Sequence, residues 1–317
     1  MKKIYVLDAF HPAGPQWLAS RAEVIHFNDP RSANWHEDAD GVMIRMKPMT
    51  ADEMQRAKKL RAIVKQGVGI EAIDLKAAAA KGIVVANTPG INADAVCEMT
   101  LALALAVSRR LGQLDRMVRA GDPIERPKFL GIALQGKTVG VIGMGNIGVR
   151  VAATFQAALG CKILAYDPFY QPASPARDPW AAIPHERVHD LAALWPRLDL
   201  VSVHVPLTDV TRHMLGRAEL AAMPPGAIVV NVSRGGVVDE QALYESIRDG
   251  HTFGAGIDVW EEREPPDASH PLLSLPTVVA TPHAAGGTRE TQEMASLQVA
   301  QELLKILEGG EPLSRVA

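Results

Sequence analysis

The stretch VGVIGMGNIG, residues 139–148, places three glycines at fixed spacing directly behind a short apolar run. The apolar residues up to Ile142 predict a strand, and the pattern from Asn146 onward predicts a helix. A second predicted strand follows that helix and ends in Asp167, 24 residues after Gly143. A G-x-G-x-x-G motif between a strand and a helix, with an acidic residue about 20 positions further on, is typical of a dinucleotide-binding fold.

Each of these positions has a physical task in such a fold. Gly143 allows the tight turn, Gly145 lets a pyrophosphate approach the backbone, and Gly148 lets the helix pack closely on the strand. The helix N-terminus offers free N–H groups and a positive potential to the phosphates. Asp167 would accept hydrogen bonds from the adenosine ribose hydroxyls and would repel a 2′-phosphate. Because no arginine directly follows Asp167, the sequence favours NAD over NADP.

Short apolar runs alternate with helical patterns along most of the chain. We expect a long helix over residues 93–111, capped by Asn92, and a last helix over residues 288–307. The alternation of strands and helices predicts an α/β fold with mostly parallel sheets. The predicted strands are KIYVLDAF, GVMIRM, RAIVKQG and GIVVANT in the first hundred residues, and TVGVIG, KILAYD, LDLVSVHV, AIVVNV, GAGIDV and TVVATP from Thr138 to about Pro282.

Size and composition narrow the class of protein. The 317 residues are enough for about two domains, and 47% apolar with 22% charged residues is ordinary for a soluble protein. A net charge of −3 without a broad basic field argues against nucleic acid and anionic membranes as partners. The two cysteines, Cys97 and Cys161, lack metal-ligand spacing, so we expect no metal site and a reducing, cytoplasmic location. We read the apolar run near the N-terminus as a first strand rather than a targeting segment.

Three polar residues follow predicted strands downstream of the glycine motif. Arg234 comes just past AIVVNV, Asp258 ends GAGID, and His283 follows TVVATP. Ligands bind at the carboxyl ends of strands in open α/β sheets, so these side chains predict a reaction site.

Their chemistry suits the reduction of a 2-keto acid. Such a reduction needs a proton on the carbonyl oxygen, which a protonated His283 can donate. A neighbouring carboxylate would raise the pKa of His283, and the guanidinium of Arg234 can hold the substrate carboxylate and polarise the carbonyl. The candidate carboxylates in the loop after Asp258 are Glu261, Glu262 and Glu264.

The chain resembles the D-2-hydroxyacid dehydrogenase family over nearly its whole length. The resembling segments, in family order, are VKQGVGIEAIDLKAAAAKGIVVANTPG, NADAVCEMTLALALAVSRRL, GKTVGVIGMGNIG, VSVHVPLTDVTRHML, VNVSRGGVVDEQAL, GAGIDVWEEREP and ATPHAAGGT.

The resemblance implies two doubly wound, Rossmann-like domains with parallel sheets. An NAD-binding domain, residues 99–287, would be inserted into a discontinuous substrate domain formed by residues 1–98 and 288–317. The resemblance places the active site in the cleft between the domains, where closure excludes water. It also implies a homodimer formed through the nucleotide domain.

The resemblance also implies roles for single residues. Arg234 would be the catalytic arginine and His283 the proton donor and acceptor, while Asp258 would bind the nicotinamide carboxamide. The backbone at Val68 and Gly69 would bind the substrate carboxylate. The remaining cofactor contacts would come from Asn146, Ile147, Val205, Pro206, Thr211, Val232 and Ser233.

The chain departs from the family at the catalytic glutamate. The family places this residue five positions after the Asp and directly before a proline, whereas here the fifth residue is Arg263 and Glu264-Pro265 comes one later. A one-residue insertion explains the shift. We therefore assign the role to Glu264, with Glu262 as the second candidate.

Two other functions remain open at this point. A non-catalytic NAD(H)-sensing regulator of the same fold would keep the same Arg, Glu and His. A formate- or phosphite-type dehydrogenase has a similar fold, but the formate enzymes replace the catalytic acid with Gln, and residues 258–265 contain none. The favoured interpretation is an NAD-dependent oxidoreductase, EC 1.1.1.-, whose particular 2-hydroxy acid the sequence does not identify.

Cations in the first domain predict a selectivity for substrates with a second anionic group. Arg45 and Lys47 lie at the carboxyl end of the predicted strand GVMIRM, and Lys65 precedes the loop at Val68. A guanidinium at Arg45 would match a phosphate, sulfonate or second carboxylate on the substrate. The alternative is a solvated charge.

Overall fold

The fold described here is that of a computed structural model, which describes residues 1–172, 174 and 178–317. The chain divides into two compact units, Met1–Asn92 with Gly287–Ala317 and Ala93–Gly286. The first unit is interrupted after Asn92, because the helix that begins at Ala93 packs along its length within the second unit. The domain bounds expected from the sequence, 1–98 with 288–317 and 99–287, stay a prediction. The C-terminal helix belongs to the first unit.

The first unit is built around a five-stranded parallel sheet in the order β2-β1-β3-β4-β5. Apolar side chains cover both of its faces, as buried parallel strands require. Its strands are β1 Lys3–Val6, β2 Glu23–His26, β3 Gly41–Ile44, β4 Ala62–Lys65 and β5 Val84–Asn87, and its first helices are α1 Ala13–Leu18, α2 Ala51–Arg56 and α3 Leu75–Ala80.

The second unit contains a seven-stranded parallel sheet in the order β12-β11-β10-β9-β6-β7-β8. The chain winds from β6 toward β8 and then from β9 toward β12, so the order reverses between β6 and β9. Its strands are β6 Thr138–Ile142, β7 Lys162–Tyr166, β8 Glu186–Arg187, β9 Leu200–Val203, β10 Ile228–Asn231, β11 Gly254–Ile257 and β12 Val278–Ala280, and its helices are α4 Ala93–Ser108, α5 Leu111–Ala120, α6 Asn146–Leu159, α7 Arg217–Ala222 and α8 Glu240–Arg248.

The last helix, α9, covers Arg289–Leu307 and packs on α1 and on β3 and β4 of the first unit. Thr288 caps it by accepting a hydrogen bond from the Thr291 N–H at 3.1 Å. Short 3₁₀ helices cover Pro30–Glu37, Arg126–Phe129, Trp195–Arg197 and Pro271–Ser274. Among the described helices, none is both long and apolar enough to cross a bilayer.

The structure confirms an α/β fold with two parallel sheets. Each predicted strand is present, whereas β2 and the two-residue β8 were not predicted. The predicted helix over residues 93–111 ends earlier, at Ser108, because the carbonyl of Ser108 accepts a hydrogen bond from the Ile132 N–H at 2.7 Å. Arg110 then adopts a left-handed conformation with φ 54°, and α5 begins at the next residue.

Candidate active site

The glycines of the G-x-G-x-x-G motif, Gly143, Gly145 and Gly148, have different surroundings. Gly143 has φ +99°, and a Cβ there would lie 2.4 Å from the carbonyl oxygen of His204. A Cβ on Gly148 would lie 2.0 Å from the carbonyl oxygen of Gly143, so α6 can approach the loop this closely only without a side chain. A Cβ on Gly145 would meet no described atom within 4 Å. The fold therefore requires glycine at positions 143 and 148, whereas Gly145 leaves open space beside the backbone.

That space lies at the N-terminus of a 14-residue helix. Gly145 is the N-cap of α6, and Asn146 and Ile147 begin the helix. The unpaired N–H groups of a first helical turn and the helix dipole bind anions such as a pyrophosphate. The open space at Gly145 and the helix end therefore fit the dinucleotide that the sequence predicts.

Asp167 follows β7 beside the glycine loop and is half-buried. Its Oδ2 accepts a hydrogen bond from the Met144 N–H at 2.9 Å, and its Oδ1 accepts one from the Phe169 N–H at 2.9 Å. The carboxylate thus fixes the turn between Gly143 and Gly145. Each oxygen retains acceptor capacity for a ribose hydroxyl.

The next cofactor candidates lie in loops after β9 and β10. Thr211 closes the first loop by donating a hydrogen bond from its hydroxyl to the Pro206 carbonyl at 2.6 Å. Val205 packs partly on the core of the unit. Both loops follow carboxyl ends of strands next to the point where the strand order reverses, which is where open α/β sheets bind ligands. After β10, Val232 and Ser233 are buried.

Asn231 shapes the turn that carries Arg234. Its side chain is buried, its Oδ1 accepts hydrogen bonds from the N–H and the hydroxyl of Ser233, and its Nδ2 donates to the Arg234 carbonyl at 3.0 Å. The Arg234 guanidinium donates from Nη1 to the Ser233 carbonyl at 2.7 Å. Asn231 was not among the residues predicted from the sequence, although its place as a polar residue at the end of a buried strand was the available signal.

His283 and Glu264 are in direct contact. Nδ1 of His283 lies 2.5 Å from Oε2 of Glu264. Glu262 is exposed and forms no hydrogen bond or ion pair with the described residues. Of the two candidates, Glu264 is therefore the one in contact with His283, and its catalytic role stays a prediction. The same glutamate accepts a hydrogen bond from the Trp260 N–H at 3.1 Å.

Their contact shifts both pKa values in directions that favour the ion pair. The hydrogen bond that the His283 ring donates to Glu264 raises the pKa of His283. Burial of the ring opposes this rise, and the negative charges of Glu264 and Asp258 add to it. Burial alone would raise the pKa of Glu264, but the hydrogen bonds from His283 and Trp260 outweigh it and lower the pKa. The positive charge of Arg234 makes the smallest contribution, which lowers the pKa of Glu264 further and partly offsets the rise in the pKa of His283.

Asp258 holds the loop that carries His283. Its side chain is fully buried, Oδ1 accepts hydrogen bonds from the Thr281 hydroxyl at 2.5 Å and the Ala284 N–H at 2.8 Å, and Oδ2 accepts one from the Ala285 N–H at 2.9 Å. Three donors offset the cost of burying this charge. The contact of Asp258 with a nicotinamide stays a prediction, because the described contacts of its carboxylate are with the 281–285 loop.

The backbone around His283 is unusual as well. His283 has φ +57°, a left-handed conformation that is uncommon outside glycine, and its N–H donates to the Asp258 carbonyl at 2.6 Å. Trp260 links this loop to the Glu264 loop, because its indole N–H donates to the Thr281 carbonyl at 3.0 Å. Nothing in the sequence indicated this role for Trp260, since the contact depends on how two loops meet in the fold.

The candidates of the first unit lie after β3 and β4, which are neighbouring strands. The Gly67 N–H donates to the Thr88 hydroxyl at 2.8 Å, and the Asn87 side chain donates to the Val68 carbonyl at 2.8 Å. These two contacts fix the loop, whereas the N–H groups of Val68 and Gly69 donate to no described acceptor. A loop with two free N–H groups can bind a carboxylate.

Arg45 and Lys47 lie in a loop organised by Asp8. The Oδ2 atom of Asp8 accepts hydrogen bonds from the N–H groups of Arg45, Met46 and Lys47 at 2.6, 3.1 and 3.1 Å. Lys47 also reaches Glu53 at 3.5 Å. The Arg45 side chain is exposed and contacts no charged partner among the described residues.

Comparison with known proteins agrees with this arrangement. Residues 101–285 match the family model described as "D-isomer specific 2-hydroxyacid dehydrogenase, NAD binding domain". The D-3-phosphoglycerate dehydrogenase of Methanocaldococcus jannaschii is 41% identical over 313 residues, which cover 98% of this chain and 58% of that enzyme. This chain therefore spans little more than half the length of that relative.

Two further proteins match along nearly their whole length. The hydroxypyruvate reductase of Thermotoga maritima is 37% identical over 311 residues, covering 96% of this chain and 98% of that one. The crystal structure of the TT0316 protein from Thermus thermophilus has a TM-score of 0.87 and 35% identity, covering 99% of this chain and all of that chain. The chain belongs to the D-isomer specific 2-hydroxyacid dehydrogenase family.

Proposed function

We propose that this protein is an NAD-linked oxidoreductase that interconverts a 2-keto acid and a D-2-hydroxy acid. The observation that carries the proposal is the 2.5 Å contact between His283 and Glu264. It lies in the unit whose glycine loop and helix end fit a dinucleotide. An acid–base pair in the same unit as a nucleotide-binding loop suits a reaction in which a hydride and a proton move together.

The residues that would hold NAD lie along the carboxyl edge of the seven-stranded sheet. The space at Gly145 and the start of α6 would accept the pyrophosphate, and Asp167 the adenosine ribose. The loops at Thr211 and Ser233 would hold the rest of the cofactor. When bound, NAD supplies the acceptor or donor of the hydride. We propose NAD rather than NADP, because the Asp167 carboxylate would repel a 2′-phosphate.

His283 would donate the proton in the reducing direction. Its Nδ1 is engaged by Glu264, so Nε2 is the ring nitrogen that can donate to the carbonyl oxygen as the new C–H bond forms. The resulting neutral imidazole takes the proton back when the hydroxy acid is oxidised. Glu264 stabilises the imidazolium, and Arg234 would bind the carboxylate and polarise the carbonyl.

The first unit would contribute to substrate binding. The free N–H groups of Val68 and Gly69 suit a carboxylate, which every 2-keto acid carries. Arg45, exposed after β3, suits a second anionic group. Relatives named for 3-phosphoglycerate and for hydroxypyruvate are both similar to this chain, so substrates with and without a distal anion are the ones to compare.

The test is NADH oxidation against glyoxylate, hydroxypyruvate, pyruvate, 2-oxoglutarate, oxaloacetate and bulky 2-keto acids, with chiral analysis of the product. We expect turnover of at least one of them to a D-hydroxy acid. Binding of NADH without turnover of any keto acid would instead favour a regulator of the same fold. Faster turnover with NADPH than with NADH would overturn the assignment of Asp167.

We also propose a cytoplasmic homodimer. Helix α5 has no buried residue, and Leu111 and Val118 on it are 53% and 68% exposed, close in sequence to Leu130 at 70%. Exposed apolar side chains on an amphipathic helix favour a partner surface. Sedimentation would give the oligomeric state. Cys97 and Cys161 are buried free thiols, which fits a reducing compartment.

A further inference from the structure

The loop that carries Glu264 has little backbone support of its own. Between residues 259 and 264 no backbone group forms a hydrogen bond with the backbone of any described residue. Side chains hold this segment instead. The position of Glu264 therefore depends on a few side-chain contacts, each of which a substitution can remove.

Glu261 makes most of these contacts. Its Oε1 accepts a hydrogen bond from Arg212 Nη1 at 2.7 Å, and both of its oxygens lie near His213 Nε2, at 3.0 and 2.9 Å. Its backbone N–H donates to Oε1 of Glu240 at 2.8 Å. Glu240 is in turn paired with His270 at 3.0 Å, at the other end of the same loop.

The backbone segments next to Glu261 and its partners pack closely against one another. A Cβ on Gly235 would lie 2.0 Å from the Trp260 carbonyl oxygen and 2.6 Å from the Glu261 nitrogen. The His213 N–H donates to the Gly236 carbonyl at 2.7 Å, and His213 itself has φ +51°. Three segments, around residues 212–213, 235–236 and 260–261, thus meet at one point. One of them directly follows Arg234, and another precedes Glu264.

We propose that Glu261 is a positioning residue whose carboxylate fixes the Glu264 loop against Arg212 and His213 and thereby sets the contact between Glu264 and His283. The inference rests on the proposed function for its kinetic consequence. The contact itself is independent of that function. Without the carboxylate, the 259–264 segment loses its main side-chain anchor, and Glu264 spends less time within hydrogen-bond distance of His283.

The direct test is a histidine NMR titration of the full-length protein. His283 is one of ten histidines, and its signal is assigned by its loss in His283→Gln. Glu261→Ala should lower the pKa of His283 toward that of a free histidine, in the same direction as Glu264→Gln. Glu262→Ala removes the same charge from the same loop without removing a contact, and should leave the pKa unchanged. An unaltered pKa in Glu261→Ala, or an equal fall in Glu262→Ala, would overturn the proposal.

Kinetics provide a second readout. A loosened catalytic group should cost Glu261→Ala roughly 10- to 100-fold in kcat, while the KM for NADH stays within about twofold. Glu261→Gln keeps an oxygen that can accept from Arg212 and should recover most of the loss. A higher KM with unchanged kcat would contradict the proposal, because it would place the effect on ligand binding.

Two outcomes separate this inference from the proposed function. If the unmodified protein turns over none of the keto acids, the proposed function fails, and the titration still decides the role of Glu261. If Glu261→Ala does not fold, Arg212→Gln removes the same contact from the other side and should lower the pKa of His283. A folded Arg212→Gln with the His283 pKa of the unmodified protein would sink the idea.

Discussion

His283 and Glu264 provide the sharpest test at the level of single side chains. The carboxylate raises the pKa of His283, so keto-acid reduction, which needs the imidazolium, should persist to a higher pH than a free histidine allows. In Glu264→Gln the imidazolium loses its anion, and the reductive pH profile should move downward. The check is kcat/KM against pH for reduction and for oxidation.

His283→Ala is the companion variant. Loss of a general acid typically costs roughly 10²- to 10⁴-fold in rate, and NADH affinity should remain nearly intact because the residues proposed to hold NAD do not include the imidazole. An unchanged profile in Glu264→Gln together with a shifted one in Glu262→Gln would move the role to Glu262. A fully active His283→Ala would remove the histidine from the mechanism.

At the level of elements, substitutions at Gly145 and Gly148, in the glycine loop between β6 and α6, should have different effects on stability and on NADH binding. Gly148→Ala forces a methyl group against the Gly143 carbonyl and should destabilise the protein by about 3 kcal/mol, the upper end of the range for overpacking. Gly145→Ala meets open space and should change the unfolding free energy little, yet weaken NADH binding. Denaturant unfolding and NADH fluorescence titration separate the two. Equal destabilisation by both variants would contradict the division of roles.

Element by element, prediction from sequence succeeded where the pattern is local. Strands with continuous apolar runs and the last helix, over residues 288–307, were predicted, because neighbouring residues alone show the apolar runs and the helical pattern. The short strand β8 was missed, because two residues show no periodicity and pair only when β7 is already in place. The end of α4 at Ser108 was missed for a similar reason, since its carbonyl is taken by Ile132, far along the chain.

For the candidate site too, residues marked by a local pattern were predicted from the sequence, and residues that depend on contacts between loops were not. Arg234, Asp258 and His283 were predicted because each lies near or just after the end of an apolar run. The family resemblance assigned the catalytic role to Glu264 but kept Glu262 as a second candidate, because the sequence does not show which carboxylate reaches His283. Asn231 and Trp260 were missed because their importance lies in the contacts they make between loops.

For the whole molecule, Arg45 tests whether the proposed 2-keto acid substrate carries a second anionic group. Arg45→Ala should raise the KM for a keto acid with a distal phosphate or carboxylate by roughly 10- to 100-fold, about 1.5–3 kcal/mol for a charge-assisted hydrogen bond. Glyoxylate, which has no distal group, should be almost unaffected. The measurement is the steady-state KM of both proteins for a keto acid with a distal anionic group and for glyoxylate. An equal effect on both substrates, or none on either, would leave Arg45 as a solvated charge.

The fixed position of the His283 ring has a consequence for the handedness of the product. Glu264 holds one ring nitrogen and the Asp258 carbonyl holds the backbone N–H, so a carbonyl oxygen can be protonated from one direction. If Arg234 also orients the carboxylate, a flat keto acid has two of its three substituents placed, and only one of its faces is left for attack. Chirality would then follow from the direction in which a loop points, and enantiomeric excess would be a sensitive measure of how firmly that loop is held.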